Sequence, residues 1–121
     1  MQETLKVFFE QWLQQAPRPA GVMAWGMQLP DRTTINRSFW DGFPEASLNN
    51  AWRCVADTLH VLRSQRCPGQ RIRWVFEHHW IYCAVRPDGA FFGVFTTNQS
   101  AEIDEPLLEH MLMDFLALAV A

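Results

Sequence analysis

Cysteine is scarce in this chain of 121 residues: there are three, an odd number, and none forms a CxxC pair. This usage fits a reducing cytosol better than a disulfide framework. Basic residues are few as well, since ten Lys and Arg face 13 Asp and Glu and leave a net charge of −3. That balance gives no electrostatic reason to expect binding to nucleic acid or to an anionic membrane.

Long hydrophobic runs are also missing. The apolar C-terminal run, residues 107–121, is too short to cross a bilayer and is interrupted by charged side chains. The N-terminal stretch carries charges at Glu3, Lys6 and Glu10 and so does not resemble a signal peptide. We therefore expect a soluble, cytoplasmic protein with no membrane partner.

No arrangement of residues predicts a catalytic, cofactor or metal site. His78 and His79 are adjacent, so in a strand they point to opposite faces, and no third ligand stands at a recognisable spacing. Cys54 and His60 lie well apart around a helix and do not suggest a nucleophile with its base. The glycines at the two ends of residues 89–93 fall inside a hairpin, not between a strand and a helix where a phosphate loop would lie.

Apolar and aromatic residues, in contrast, are abundant. Hydrophobic residues make up 49% of the chain against 19% charged, which favours a folded protein over a disordered one. A chain of this length is expected to form one domain, residues 1–121, that buries roughly two-thirds of its unfolded surface. Six Trp and nine Phe are many for this size, so part of the aromatic surface is a candidate for an interface.

The segment Arg71–Thr97 predicts three consecutive strands around which the chain is organised. Apolar and polar residues alternate in Arg71–Glu77, which is typical of a strand with one apolar face. Trp80–Val85 and Ala90–Phe95 are apolar at nearly every position, which predicts strands that are covered on both faces. In the first of these, Cys83 would behave as a small inert hydrophobe.

Three helices and two further strands are predicted around these strands. Thr4–Gln15 and Pro44–Arg66 each carry their apolar residues on one stripe at helical spacing, and Asp104 can cap a third helix. Val22–Leu29 and Thr33–Trp40 predict strands, the second of them an outer strand. The order is helix, two strands, helix, three strands, helix. One flank of the long helix is neither core nor plainly solvent-facing, which suits a second subunit: Cys54, Thr58, Val61 and Gln65.

This order, in a chain of about this length, resembles the Roadblock/LC7 domain. Local features that match are the Pro-Ala-Gly21-Val22 entry to the first strand, the long amphipathic helix and the Pro87-Asp88-Gly89 turn. Family members often carry Asp-Gly at the first hairpin, where this chain has Asp31-Arg32. The resemblance implies an α+β, profilin-like sandwich: a five-stranded antiparallel sheet with one long helix on one face and the two terminal helices on the other.

The resemblance also implies a homodimer formed by the long helix and the neighbouring edge strand, here Arg71–Glu77. The expected dimer interface comprises Cys54, Thr58, Val61, Gln65, Arg71, Arg73, Val75 and Glu77. Bacterial members of the family often partner small Ras-like GTPases, and some activate them. We therefore expect a non-enzymatic interaction module, an activating protein or a scaffold, that has no cofactor and has a small GTPase as its candidate partner.

Two alternatives stay open. Arg71, Arg73 and Glu77 share one strand face, where they either form a solvated edge that discourages unwanted pairing or set arginine opposite glutamate across a two-fold axis. The alternative function is that of a type III secretion chaperone-like dimer that binds an unfolded effector segment. Proteins of that kind place three strands before the middle helix and two after it, the reverse of the order predicted here.

Overall fold

The computed structural model of this protein describes residues 2–40, 45–65 and 71–118. The elements along the chain are α1 (Gln2–Gln15), β1 (Val22–Gln28), β2 (Thr34–Ser38), α2 (Glu45–Ser64), β3 (Arg71–Val75), β4 (His79–Val85), β5 (Phe91–Thr97) and α3 (Glu105–Ala117). The predicted α+β class and element order are confirmed. A short 3₁₀ turn, Ser100–Glu102, precedes α3. The predicted ends of the long helix, Pro44 and Arg66, lie outside the described residues.

The five strands form one antiparallel sheet in the order β2-β1-β5-β4-β3. The first two strands therefore pair as one hairpin, the last three form a meander, and β1 joins the two groups through β5. This arrangement leaves β2 and β3 as the two edges of the sheet. Among the described helices, none is long and apolar enough to cross a membrane.

Helices cover both faces of the sheet, as the apolar runs of β4 and β5 predicted. On one face, α1 and α3 pack against the sheet through a cluster that includes Phe9, Phe92 and Phe115. On the other face, α2 packs through Leu48, Trp52 and further apolar side chains. The expected placement of the long helix opposite the two terminal helices is thus confirmed. Asp104 caps α3 as predicted, because its Oδ1 accepts a hydrogen bond from Leu107 N at 3.2 Å.

The two hairpin turns differ in how they reach a positive φ. In the β4–β5 turn, Gly89 has φ +95° and its N–H donates to Arg86 O at 3.0 Å, as the Pro-Asp-Gly sequence predicts. In the β1–β2 turn, Arg32 has φ +71°, a conformation that disfavours residues with a Cβ. The Asp31 side chain supports this turn by accepting from Thr33 N at 3.0 Å, and that bond lowers the pKa of Asp31.

Trp52 determines where α2 lies on the sheet. Its ring rests on Gly26 and Gly93, which face each other across β1 and β5, and a Cβ on either glycine would overlap the ring. The Trp52 indole nitrogen donates to Asn36 Oδ1 on β2 at 2.5 Å. The helix therefore lies nearest β1 and β2, and the same face of the sheet is less covered towards β3.

Candidate interaction surface

A groove opens on the α2 side of the sheet, between α2 and the strands next to the β3 edge. Its volume is about 420 Å³, and it exists because α2 is displaced towards the opposite edge. Aromatic and aliphatic side chains dominate its lining, with one histidine, one cysteine and one threonine among them. The lining consists of Ala51, Cys54, Val55, Thr58, Trp74, Phe76, His79, Ile81 and Phe95.

Several large apolar side chains at this groove and along β3 remain in contact with solvent. Phe76 is 53% exposed, Val61 on α2 is 55% exposed and Val75 on β3 is 62% exposed. Trp40, which is also exposed, contacts His79 with ring centroids 5.2 Å apart and ring planes tilted by 39°. Exposed apolar side chains beside a groove at the edge of a sheet are typical of protein-binding surfaces.

The outer edge of β3 carries backbone groups that no described strand pairs with, because β3 pairs with β4 alone. Phe76 N donates to His79 O at 3.0 Å, so the hydrogen bonds of the hairpin involve Phe76 and every second residue before it. In an antiparallel ladder the residues between them point their N–H groups away from the partner strand. The N–H groups of Arg71, Arg73 and Val75 therefore point outward, as a template for another strand.

The four predicted interface residues of the α2 flank are all exposed and lie beside the groove. Three of them lie on α2, and Gln65 directly follows its last residue. Cys54 and Thr58 belong to the lining itself. The Thr58 hydroxyl donates to Cys54 O at 3.0 Å, which satisfies it within the helix. Val61 and Gln65 continue the same flank one and two turns further along. The structure thus places this predicted set together, at the border of an apolar groove.

The predicted interface residues of β3 lie on the other face of the sheet. Ile72 and Trp74 pack with the α2 cluster, so the alternating Arg71, Arg73 and Val75 face the side of α3. Arg71 accordingly donates from Nη2 to Glu109 Oε2 on α3.

Glu77 lies beyond the end of the strand, and its carboxylate is 3.7 Å from His78 Nε2 on the exposed turn that precedes β4. His78 is thus in a turn, not in a strand as the sequence suggested. The two halves of the predicted interface therefore lie on opposite faces of the sheet, and the β3 edge lies between them.

The prediction from sequence missed the residues that line the groove from the sheet side. Trp74, Phe76, Ile81 and Phe95 were assigned to strand faces that helices should cover. A signal was present in Trp74 and Phe76, because they form the apolar face of a strand that was also expected to lie at an edge. An apolar face at an edge is the part of a sheet that a single helix is least able to cover.

The described residues offer little reactive chemistry. Cys83 is buried in β4, and burial raises the pKa of its thiol to about 12, which fits the inert role predicted for it. No group of three or more His, Cys, Asp and Glu side chains in the described parts of the chain is arranged to hold a metal ion. What the surface can do, on this geometry, is pair a strand and bury apolar side chains.

Comparisons with known proteins add nothing to this description: no protein-family model, curated protein or solved structure matches the chain.

Proposed function

We propose that this chain is a non-enzymatic, homodimeric interaction module of the Roadblock/LC7 type that binds and regulates a small Ras-like GTPase. The observation that carries the proposal is the coincidence of an unpaired strand edge with an apolar groove beside it. The groove and the edge share β3: Trp74 lines the groove, while the N–H groups of its neighbours Arg73 and Val75 point outward.

A second copy of the chain is the occupant that satisfies both features at once. Two β3 edges paired antiparallel across a two-fold axis would join the two sheets into one of ten strands and satisfy the outward N–H groups. The same axis would bring the α2 flank of each copy towards the groove of the other. Val61 and Phe76, each more than half exposed in the single chain, would then be buried.

The choice of a GTPase as partner follows from the resemblance to the Roadblock/LC7 family. The order of two strands before α2 and three after it supports this choice over the chaperone-like alternative, in which the order is reversed. A regulator of this kind needs no arginine finger of its own. It acts by holding the switch region of the GTPase and the catalytic residues of the GTPase in register.

Titration calorimetry tests the GTPase assignment. Ras-like GTPases encoded in the same genome are loaded with a GTP analogue or with GDP and titrated with the dimer. Because a regulator shifts a switch only by differential affinity, we expect the GTP form to bind at least tenfold more tightly, about 1.4 kcal/mol. A Val61→Asp variant, designed to weaken the dimer, serves as control.

Equal affinity for the two nucleotide states, or no binding to any GTPase of the genome, would contradict the GTPase assignment while leaving the dimer to be judged by its own test. Binding of an unfolded effector segment instead would favour the chaperone-like alternative.

A further inference from the structure

A second cleft, of about 320 Å³, lies on the opposite face of the sheet from the groove, between the β3–β4 hairpin and α3. It is distinct from the groove in chemistry, since Arg71, Arg73, Tyr82 and Glu109 are among the residues that line it. The proposed dimer leaves this cleft without an assigned role. Each chain supplies the whole of it.

The charges in the cleft do not balance. Arg71 is paired with Glu109 and also approaches Met113 Sδ at 3.8 Å. Arg73 makes no ion pair with any described residue; its guanidinium carbon lies 5.1 Å from the Trp80 ring centroid and 6.0 Å from that of Tyr82. These ring contacts hold one uncompensated cation against the wall of the cleft, in a chain whose net charge is −3.

Tyr82 provides an independent observation at the same cleft. It lies directly opposite Arg73 in the β3–β4 register and is only 7% exposed. Its hydroxyl is shielded from solvent and has no hydrogen-bond partner among the described residues. A buried hydroxyl without a partner costs free energy that phenylalanine at the same position would avoid, and the neighbouring strand positions are apolar.

We propose that this cleft binds an oxyanion, the phosphate or carboxylate group of a small molecule, held between the Arg73 guanidinium and the Tyr82 hydroxyl. Both groups donate hydrogen bonds, and both lack an acceptor among the described residues. A bound oxyanion accepts from both, neutralises Arg73 and satisfies Tyr82, through hydrogen bonds strengthened by charge. Because the hydroxyl is shielded from solvent, binding involves a local rearrangement that brings the hydroxyl into contact with the bound group.

NMR spectroscopy of the arginine Nε–H groups tests this site with inorganic phosphate and acetate as probes. Each is titrated into the whole protein against sodium chloride at matched ionic strength. We expect phosphate, acetate or both to shift the Arg73 signal saturably. Comparing the two titrations shows whether the cleft binds a phosphate group or a carboxylate group more tightly. Arg73→Gln should weaken that binding at least about tenfold, since a hydrogen bond to a charged group is lost.

Tyr82→Phe separates a ligand-binding hydroxyl from a structural one. The variant should bind the anion at least about threefold more weakly, while the unfolding midpoint of the free protein stays the same or rises, because an unsatisfied group is removed. Affinity of the Gln and Phe variants is followed through the backbone amide signals of β3 and β4.

Arg37→Gln is the matched control. Arg37 lies on the opposite edge strand, with its guanidinium carbon 5.1 Å from the Phe39 ring centroid, so the substitution removes the same charge from a similar setting. It should leave anion affinity unchanged. Non-saturable shifts, or equal affinity in the wild type and either cleft variant, would overturn the proposal. The absence of binding by both anions would overturn it as well. If Arg73→Gln then dissociated a dimer, Arg73 would serve the partner chain instead.

Discussion

The indole nitrogen of Trp52 donates a hydrogen bond to Asn36 Oδ1 at 2.5 Å, and this contact ties α2 to β2. Asn36 in turn donates from Nδ2 to Asn49 Oδ1 at 2.5 Å. Asn49 lies on α2, one turn before Trp52. Three residues thus fix α2 over one edge of the sheet. The apolar groove at the opposite edge, where we place the second copy of the chain, is the geometric consequence.

The contact between the Trp52 ring and Gly93 gives the first prediction. Gly93→Ala should lower the free energy of unfolding by about 1–3 kcal/mol, because its Cβ would overlap the buried ring and force overpacking. Trp52→Phe shortens that ring, so the double variant should lose less stability than the sum of the two single variants. Urea unfolding of the four proteins measures the coupling. Strict additivity would mean that the two positions do not touch.

The β1–β2 turn gives the second prediction. Arg32 holds φ +71°, a region that costs a residue with a Cβ roughly 1–2 kcal/mol, and glycine adopts it freely. Arg32→Gly should therefore raise the free energy of unfolding by about 0.5–1 kcal/mol after the extra entropy of the unfolded glycine is subtracted. Arg37→Gly, in the extended strand β2, should instead lower it. Destabilisation by both substitutions would argue against a left-handed Arg32.

Cys83 gives a prediction about pH. In the unfolded chain its thiol has the ordinary pKa of 9.0, whereas burial raises the pKa to about 12 in the folded protein. Between these values the folded state holds a proton that the unfolded state releases, so stability falls as pH rises, by at most about 1.4 kcal/mol per pH unit. Cys83→Ala removes this titration.

The free energy of unfolding of the wild type minus that of the Ala variant should therefore decrease from about pH 9 upwards, within the window that the two pKa values define. Urea unfolding at a series of pH values measures it. A difference that stays constant across this range would show that Cys83 is not shielded from water as described.

The groove gives the fourth prediction. Phe76→Asp should weaken the proposed dimer at least about tenfold, because a carboxylate would be buried without a partner in the proposed interface. Val7→Asp is the control: Val7 is 49% exposed, close to the 53% of Phe76, but lies on α1, away from the groove. Sedimentation equilibrium gives the dissociation constants. Equal effects of the two substitutions would show that Phe76 does not belong to the interface.

The burial of β4 and β5 was predictable from the sequence, and the groove was not. Uninterrupted apolar runs must be covered on both faces, and residues from Ile81 to Val85 are indeed buried. For β3, the alternation of residues correctly showed that Trp74 and Phe76 belong on one face. It could not show how far α2 reaches across the sheet, because that depends on the contact between Trp52 and Asn36, which belong to different elements.

Of the two candidate sites, one was also predictable from the sequence and the other was not. The exposed α2 flank with Val61 was predictable, since helical spacing alone assigns residues to faces. The cleft on the α3 side was not, although Arg73 was noted as part of a strand face. Whether Arg73 finds a carboxylate, and whether the Tyr82 hydroxyl finds an acceptor, depends on which atoms of α3 come near. A hydroxyl inside an apolar run gives no sequence signal of being unsatisfied.

Light scattering on the purified protein at micromolar concentration is the most direct test of a dimer paired through β3. A dimer paired through β3 should have twice the 14.1 kDa chain mass. Val75→Pro removes an N–H that points out of the β3 edge, so it should leave the hairpin intact and yield a folded particle of single-chain mass, or insoluble protein. A wild type that has single-chain mass at every concentration, or a Val75→Pro variant that remains dimeric, would contradict pairing through β3.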